Sequence, residues 1–394
     1  MRFFCFKKCA IVKYSVWVIH MYHVGYFLQH KLFSNQLRQL YFFIGFLSFA
    51  SSMVGLFIPL YLYLEVGFAF QNVMLFFIIE NVFFALCTPI AADFLVRKGV
   101  KHTILFGIPI KCFVILLFYS LPRFPSLLVF TAIFGGLYQA FLWLGVHMLF
   151  KHVTHKNKRG KELGMRIFIG RIAAIVGPIV GGGIIHLFGF YMLFIAMLGC
   201  VMVASLCLLA NGEYAPKYMF SWGAVRKNIQ WKYGVFFLSQ GMIQTGQAIA
   251  WPLFIFFILG NYVSLGVAGS VFTFITAIIV LVAGKYSDVF GKRRYIRRLL
   301  PFEIASWVAR FFVRTTTQVY GVIFFAGSTL GLLAAPVGAL EYDNAPKNAL
   351  AYFVQREFFI ASGRIVLLAF LLFTENYTGS FLLVAFVELA ILLF

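Results

Sequence analysis

The chain predicts an all-α polytopic membrane protein, with twelve transmembrane helices in two pseudo-symmetric six-helix bundles, on three observations. Hydrophobic residues make up 62% of the 394 and charged residues only 11%, whereas soluble domains carry about 25% charged residues. Apolar stretches of about 20 residues recur along the whole chain, each long enough to cross a hydrocarbon core of roughly 30 Å. The short alternating segments of a transmembrane β-barrel are absent. The third observation is a loop design written twice. Pro89-Ile90-Ala91-Ala92-Asp93 leads to Arg97-Lys98-Gly99-Val100-Lys101, and Gly284-Lys285-Tyr286-Ser287-Asp288 leads to Gly291-Lys292-Arg293-Arg294. Each copy is an acid closing an apolar span, then a glycine turn and a basic cluster. A membrane chain of two homologous halves has the architecture of a transporter, whose site lies where the halves meet.

Residues 1–38 form a basic N-terminal segment, with Lys7, Lys8, Lys13, Lys31 and Arg38 among aromatic side chains. No small-residue cleavage site follows an uninterrupted apolar core, which argues against a signal peptide. An interfacial helix held by anionic lipid fits better; a later start at Met21 is the alternative. Residues 39–210 hold the first bundle, with spans near 40–63, 70–92, 102–121, 126–150, 162–187 and 190–210. A central linker covers 211–232. The second bundle, 233–394, has spans near 233–259, 262–284, 298–314, 318–341, 350–373 and 378–394.

Loops after even-numbered spans hold the charge: Arg97, Lys98 and Lys101; Lys151 through Lys161; Lys217 through Lys232; Lys285 and Lys292 through Arg298; Lys347. Loops after odd-numbered spans, such as Leu121-Pro122-Arg123-Phe124-Pro125 and Thr374-Glu375-Asn376-Tyr377, are short and nearly neutral. This is the positive-inside pattern, and it places both termini in the cytoplasm. It also accounts for the formal charge of +21 without a nucleic-acid partner, because the cations form no single stripe. Cys5, Cys9, Cys87, Cys112, Cys200 and Cys207 show no CxxC spacing, so neither a disulfide framework nor a metal site is expected.

The second loop copy, Gly284-x-x-x-Asp288-x-x-Gly291-Lys292-Arg293-Arg294, resembles the signature loop of the major facilitator superfamily. The first copy departs from it: Pro89 replaces the leading glycine, and Asp93 stands further from Gly99 than Asp288 does from Gly291. In span five, Gly164-x8-Ala173-x3-Gly177-Pro178-x2-Gly181-Gly182 resembles the antiporter motif of the same superfamily, with Ala173 in place of a glycine. Small residues there equally serve close helix packing. The resemblance implies a divergent bacterial member in the inner (plasma) membrane. It would be a secondary active transporter moving a small molecule by alternating access, with a slight lean to export or antiport. The partners implied are a small-molecule solute, membrane lipids, and protons or another coupling ion, and a monomer is expected. The family arginine of span four falls at Gly136, so coupling through that position is not implied. In the superfamily, spans one, four, seven and ten line the central cavity.

Polar residues on spans four and seven then become candidates for substrate contact. Gln139, Trp143 and His147 repeat at intervals of four, and Gln240, Gln244 and Gln247 share a face of span seven. Interhelical hydrogen bonding is the alternative reading of both stripes. Charge at membrane mid-depth costs several kcal/mol unless it is paired or wet. Arg171 and Arg364 lie at matching depths in spans five and eleven, each after a glycine and 193 positions apart. They read as cavity or gate cations, or else as a fixed ion pair. Glu80 and Lys111 read as a buried pair on adjacent spans, and Glu303 and Arg310 as a local pair within span nine. An unpaired Glu80, or His147 with its imidazole near neutral pKa, would be the coupling candidate. Pseudo-symmetry sets Asp93 against Arg356 and Asp288 against Arg166 as cytoplasmic gate bridges. No Ser/His/Asp set, HExxH or phosphate-binding GxxxxGK[ST] is present, so no enzyme, cofactor, catalytic residue or metal is expected. A phospholipid or lysophospholipid flippase, and a non-transporting receptor or assembly factor, are the rival readings.

Overall fold

In hydrocarbon no water is at hand to satisfy backbone N–H and C=O groups, so an apolar span must close its hydrogen bonds within itself. The described spans do so. A computed structural model describes residues 36–153, 159–209, 220–221, 223, 225, 231–346 and 349–393; the predicted N-terminal segment and most of the linker lie outside the described residues. The first half comprises α1 (Leu37–Glu65), α2 (Phe70–Lys98), α3 (Val100–Ser120), α4 (Leu128–Val153), α5 (159–188) and α6 (190–209). The second comprises α7 (Trp231–Leu259), α8 (Tyr262–Phe290), α9 (Lys292–Phe311), α10 (Thr316–Asn344), α11 (Ala349–Thr374) and α12 (Tyr377–Leu393). The helices coincide with the twelve expected spans. Several run further at the basic end: α2 reaches Lys98, α8 reaches Phe290, and α9 begins at Lys292. A helix leaving the bilayer keeps its hydrogen bonds, so its polar last turn need not unwind.

Glycine makes the sharp connections. Gly99 between α2 and α3 has φ 98°, and Gly291 between α8 and α9 has φ 80°, a region that side chains with a Cβ enter at a cost. The repeated loop is therefore repeated in backbone conformation as well as in letters. Gly189, at φ 76° and ψ 178°, breaks α5 from α6. At the other end of the molecule, Asn261, Thr315 and Asn376 cap α8, α10 and α12 by accepting from the N–H groups of Ser264, Gln318 and Gly379, each cap contributing about 1 kcal/mol.

Packing follows one plan twice. Within the halves, α1 lies on α5 and α7 lies on α11; across them, α2 meets α11 and α5 meets α8. Missing side chains make the close crossings possible. A Cβ on Gly181 would stand 2.1 Å from the Met53 carbonyl oxygen of α1, and one on Gly182 would stand 2.7 Å from the Tyr262 carbonyl oxygen of α8. Gly266 of α8 answers against the Pro178 carbonyl oxygen at 2.4 Å, and Gly177 fits against Ser52 and Met53. The span-five motif thus seats α5 between α1 and α8; what Gly164 packs against lies outside the described residues. In the second half, a Cβ on Gly241 would lie 2.1 Å from the Ile360 oxygen, and one on Gly363 would lie 1.9 Å from the Leu238 oxygen. Gly363→Ala is expected to lower stability by about 1–3 kcal/mol, the usual cost of overpacking. Gly183→Ala, which meets nothing within 4 Å, should be silent. Thermal unfolding of the two purified variants checks the contrast.

Candidate functional site

Between the halves lies a cavity of about 580 Å³ whose wall draws on α1, α2, α3, α4, α5, α6, α7, α9, α10 and α11. Five of its lining residues are charged: Glu80, Lys111, Arg171, Glu303 and Arg364. Three cations against two carboxylates leave one positive charge in excess.

Arg364 is the hub. Gly363 lets α11 come close to α7, which carries the next residue's guanidinium within reach of both halves. Arg364 Nη1 donates to Asn81 Oδ1 of α2 and to Gln139 Oε1 of α4, each at 3.2 Å, and its Nη2 donates to Gln244 Oε1 of α7 at 2.7 Å. The guanidinium also lies 5.5 Å from the Phe84 ring. Its partners are neutral amides, so its charge is undiminished by a contact ion pair. Arg171, its counterpart in the repeat, lines the same cavity and is half-buried, with neither hydrogen bond nor ion pair to the described residues. Neither arginine is held in a fixed ion pair with a carboxylate among the described residues.

Gln139, Trp143, Gln240, Gln244 and Gln247 all line the cavity. Gln247 sits in a π-helical turn, Gly246–Ala250, an insertion of the kind that often marks functional sites in helices. Glu80 and Lys111 both face the cavity but make no direct ion pair, contrary to the sequence expectation. Lys111 Nζ stands 4.9 Å from the Tyr138 ring centre, and the Glu80 carboxylate has Lys111, Gln139 and Arg364 as its polar neighbours. An open, polar cavity removes the need for a tight pair. Gly136 has a steric reason to be glycine. A Cβ there would stand 2.3 Å from the Glu80 carbonyl oxygen, so the α2–α4 crossing leaves no room for an arginine.

His147 is displaced from its expected place. It does not line the cavity, because a row of residues at intervals of four drifts around a helix of 3.6 residues per turn. One turn past Trp143 the imidazole is buried in a second polar cluster, at the end of the molecule that carries the basic loops. His147 Nδ1 lies 2.6 Å from the Tyr342 hydroxyl, and its Nε2 lies 3.4 Å from Glu357 Oε1. Arg166 Nη1 donates to the same hydroxyl at 2.9 Å, and Lys151 Nζ donates to the Tyr342 carbonyl oxygen at 3.2 Å. Behind them Arg356 is bound by Glu341 and, at 2.6 Å, by Glu357. The cluster ties α4 and α5 of one half to α10 and α11 of the other.

Arg166 and Arg356 are therefore at the junction of the halves, and Arg356 pairs with Glu341 and Glu357 rather than with the expected Asp93. Asp93 has a half-exposed side chain and pairs with Arg97 one turn along its own helix at 2.9 Å; the continuation of α2 to Lys98 supplies that nearer partner. The Asp288 side chain lies outside the described residues, as does the packing of Gly284. Of the remaining signature-loop residues, Lys292 bonds Asp343 of α10 at 2.7 Å. Arg293 rims a second pocket of about 460 Å³ with Lys232 and Arg297.

Glu303 and Arg310 do not pair with each other. Trp307 intervenes on the same face of α9: the guanidinium carbon lies 3.5 Å from its ring centre. Arg310 Nη2 instead donates to Gln247 Oε1 at 2.8 Å, and Trp307 Nε1 donates to Glu388 Oε1 of α12 at 3.2 Å. Sequence reasoning missed Asn81, Glu341, Tyr342, Glu357 and Glu388. The adjacent charges Arg356-Glu357 inside an apolar span, and the lone carboxylate of Glu388, were the available signals.

The fold superposes on those of solved transporters. A bacterial homologue of the iron transporter ferroportin, in its outward-facing state, superposes with a TM-score of 0.69 at 14% identity, over 91% of this chain and 97% of that one. The E. coli fucose:proton symporter FucP superposes with a TM-score of 0.67 at 11% identity, over 90% and 96%. Among sequences, an uncharacterized protein of Bacillus subtilis (strain 168), YqgE, is 26% identical over 270 residues, or 63% of this chain; the chain spans 61% of that relative's length. The model of the Major Facilitator Superfamily matches residues 40–368, and with these helices the chain belongs to that superfamily.

Proposed function

We propose that the chain is a secondary transporter that carries a small organic anion across the membrane by alternating access of the two halves. The observation that carries the proposal is the cavity's charge: Arg364 bound only by amides, Arg171 bound by nothing described, and one cation in excess. A guanidinium offers a forked donor set that matches a carboxylate or phosphate, and the aromatic wall from Phe76, Tyr138 and Trp143 suits an apolar body. The basic end faces the cytoplasm of a bacterial cell, on the positive-inside pattern. The cluster around Tyr342 is then the cytoplasmic gate, closed here. Residues 39–210 and 233–394 are the moving bodies, with 211–232 as their linker. The direction proposed is outward, on the resemblance of the α5 face, and the sign of the flux decides it.

Purified protein melted against a panel of anionic, neutral and cationic metabolites tests the substrate class. A ligand present at 100 times its Kd stabilises by about 2.7 kcal/mol. An anion should raise the melting temperature of wild type, and raise it less for Arg364→Lys. Stabilisation by neutral or cationic compounds alone would refute the anion assignment.

A further inference from the structure

Behind the cavity wall of the second half, three ionisable side chains are almost wholly enclosed. Glu303 is 4% exposed, Arg310 1% and Glu388 2%. Fully ionised, they would carry one net negative charge in an apolar surround. Their bonding makes this worse. Arg310 turns its face to Trp307 and one nitrogen to Gln247, so its charge goes to neutral groups. Glu388 receives one indole N–H through Oε1. Glu303 Oε2, Glu388 Oε2, Arg310 Nε and Arg310 Nη1 are left with no hydrogen-bond partner. A buried carboxylate without a partner is held only at a cost of several kcal/mol, which neutralisation removes. Binding one proton takes the cluster to zero net charge and turns one orphan acceptor into a donor.

Among the described residues the surroundings supply no other counter-charge. The charged groups acting on Glu303 and Glu388 are Arg310 and each other. From α7 come only Gln247 and Trp251, and from α10 Thr329. The cluster borders the central cavity, which Glu303, Trp307 and Gln247 line. Gln247 touches both worlds: its oxygen holds Arg310, and its π-helical turn borders Gln244, which holds Arg364.

We infer that Glu303 and Glu388 form a one-proton binding site that opens on the central cavity through α9. It is separate from Glu80 and His147, the coupling candidates of the sequence. Proton loss would leave an uncompensated carboxylate beside Arg310 and reorder the Arg310–Gln247 bond, one helical turn from the Arg364 hub. Calling this proton a coupling ion rests on the transporter reading; the proton's presence does not.

Infrared spectroscopy of the full chain in lipid nanodiscs near neutral pH, in H₂O and D₂O, reads the proton directly. Wild type should show the carbonyl stretch of a protonated carboxylic acid, shifted by deuterium. Glu303→Gln and Glu388→Gln should each abolish it, because the remaining carboxylate is then balanced by Arg310. Glu80→Gln should retain it. Absence of the band from wild type, which needs no variant to fold, would overturn the inference, and so would its persistence in either variant. A band in a protein that moves no solute would keep this site and remove the transporter reading.

Discussion

Arg364→Gln is expected to reduce transport by roughly 30-fold to more than 1,000-fold. Asn81, Gln139 and Gln244 all direct their side-chain oxygens at it, from α2, α4 and α7. Truncating one member of a buried charged hydrogen-bond set costs about 2–5 kcal/mol, and each 1.4 kcal/mol is tenfold. Part of that cost falls on the fold, so the melting temperature should drop as well. Arg171→Gln separates the two effects. Its guanidinium holds no described partner, so stability should be unchanged or raised while transport still falls. Arg364→Lys keeps a charge but loses the fork, and it should lie between Arg364→Gln and wild type. Initial rates and melting curves on the three variants check this. Equal loss of stability in Arg171→Gln and Arg364→Gln would show that the cavity cations are structural.

The second large effect concerns the gate. Tyr342→Phe removes one hydroxyl and no packing, yet it deprives Arg166 of its partner on the other half and leaves His147 with Glu357 alone there. Leaving such groups unsatisfied costs about 1.5–3 kcal/mol. The equilibrium between closed and open basic ends should therefore move roughly ten- to one-hundred-fold toward open. Nitroxide labels at Arg97 on α2 and Arg293 on α9, one in each half, would report it as a longer component in the distance distribution. Arg356 lends itself less to this test, because its carboxylate partners Glu341 and Glu357 belong to its own half. A Tyr342→Phe distribution identical to wild type would mean that the halves are held elsewhere.

Much of this was legible in the letters. Repetition marked the architecture: the two glycine loops share a backbone conformation, and Arg171 and Arg364 share a position beside a helix crossing and a cavity. Polar stripes on α4 and α7 were legible wherever the helical period kept them aligned, which holds for Gln139 with Trp143 and fails at His147. Partner choice was not legible. Sequence distance ranks Arg310 with Glu303, two turns away, but the ring of Trp307 stands between them and redirects both. Asp93 looked like a bridge to the other half, until the helix ran on and offered Arg97 first. Tyr342 and Asn81 gave no signal of their own, because a hydroxyl or amide becomes a hub only when another helix delivers a cation to it. Gly136 shows the reverse: a missing arginine looked like a lost function, and the structure shows a helix crossing that admits no side chain.

A comparative flux profile decides whether the cavity carries an organic anion. Cells carrying wild type, Arg364→Gln or empty vector are compared for anionic solutes inside and outside. An organic anion should change its distribution with wild type alone, lower inside if the proposed direction holds. Identical profiles from all three strains would contradict it, and a difference confined to phospholipids or lysophospholipids would assign the cavity to lipid instead.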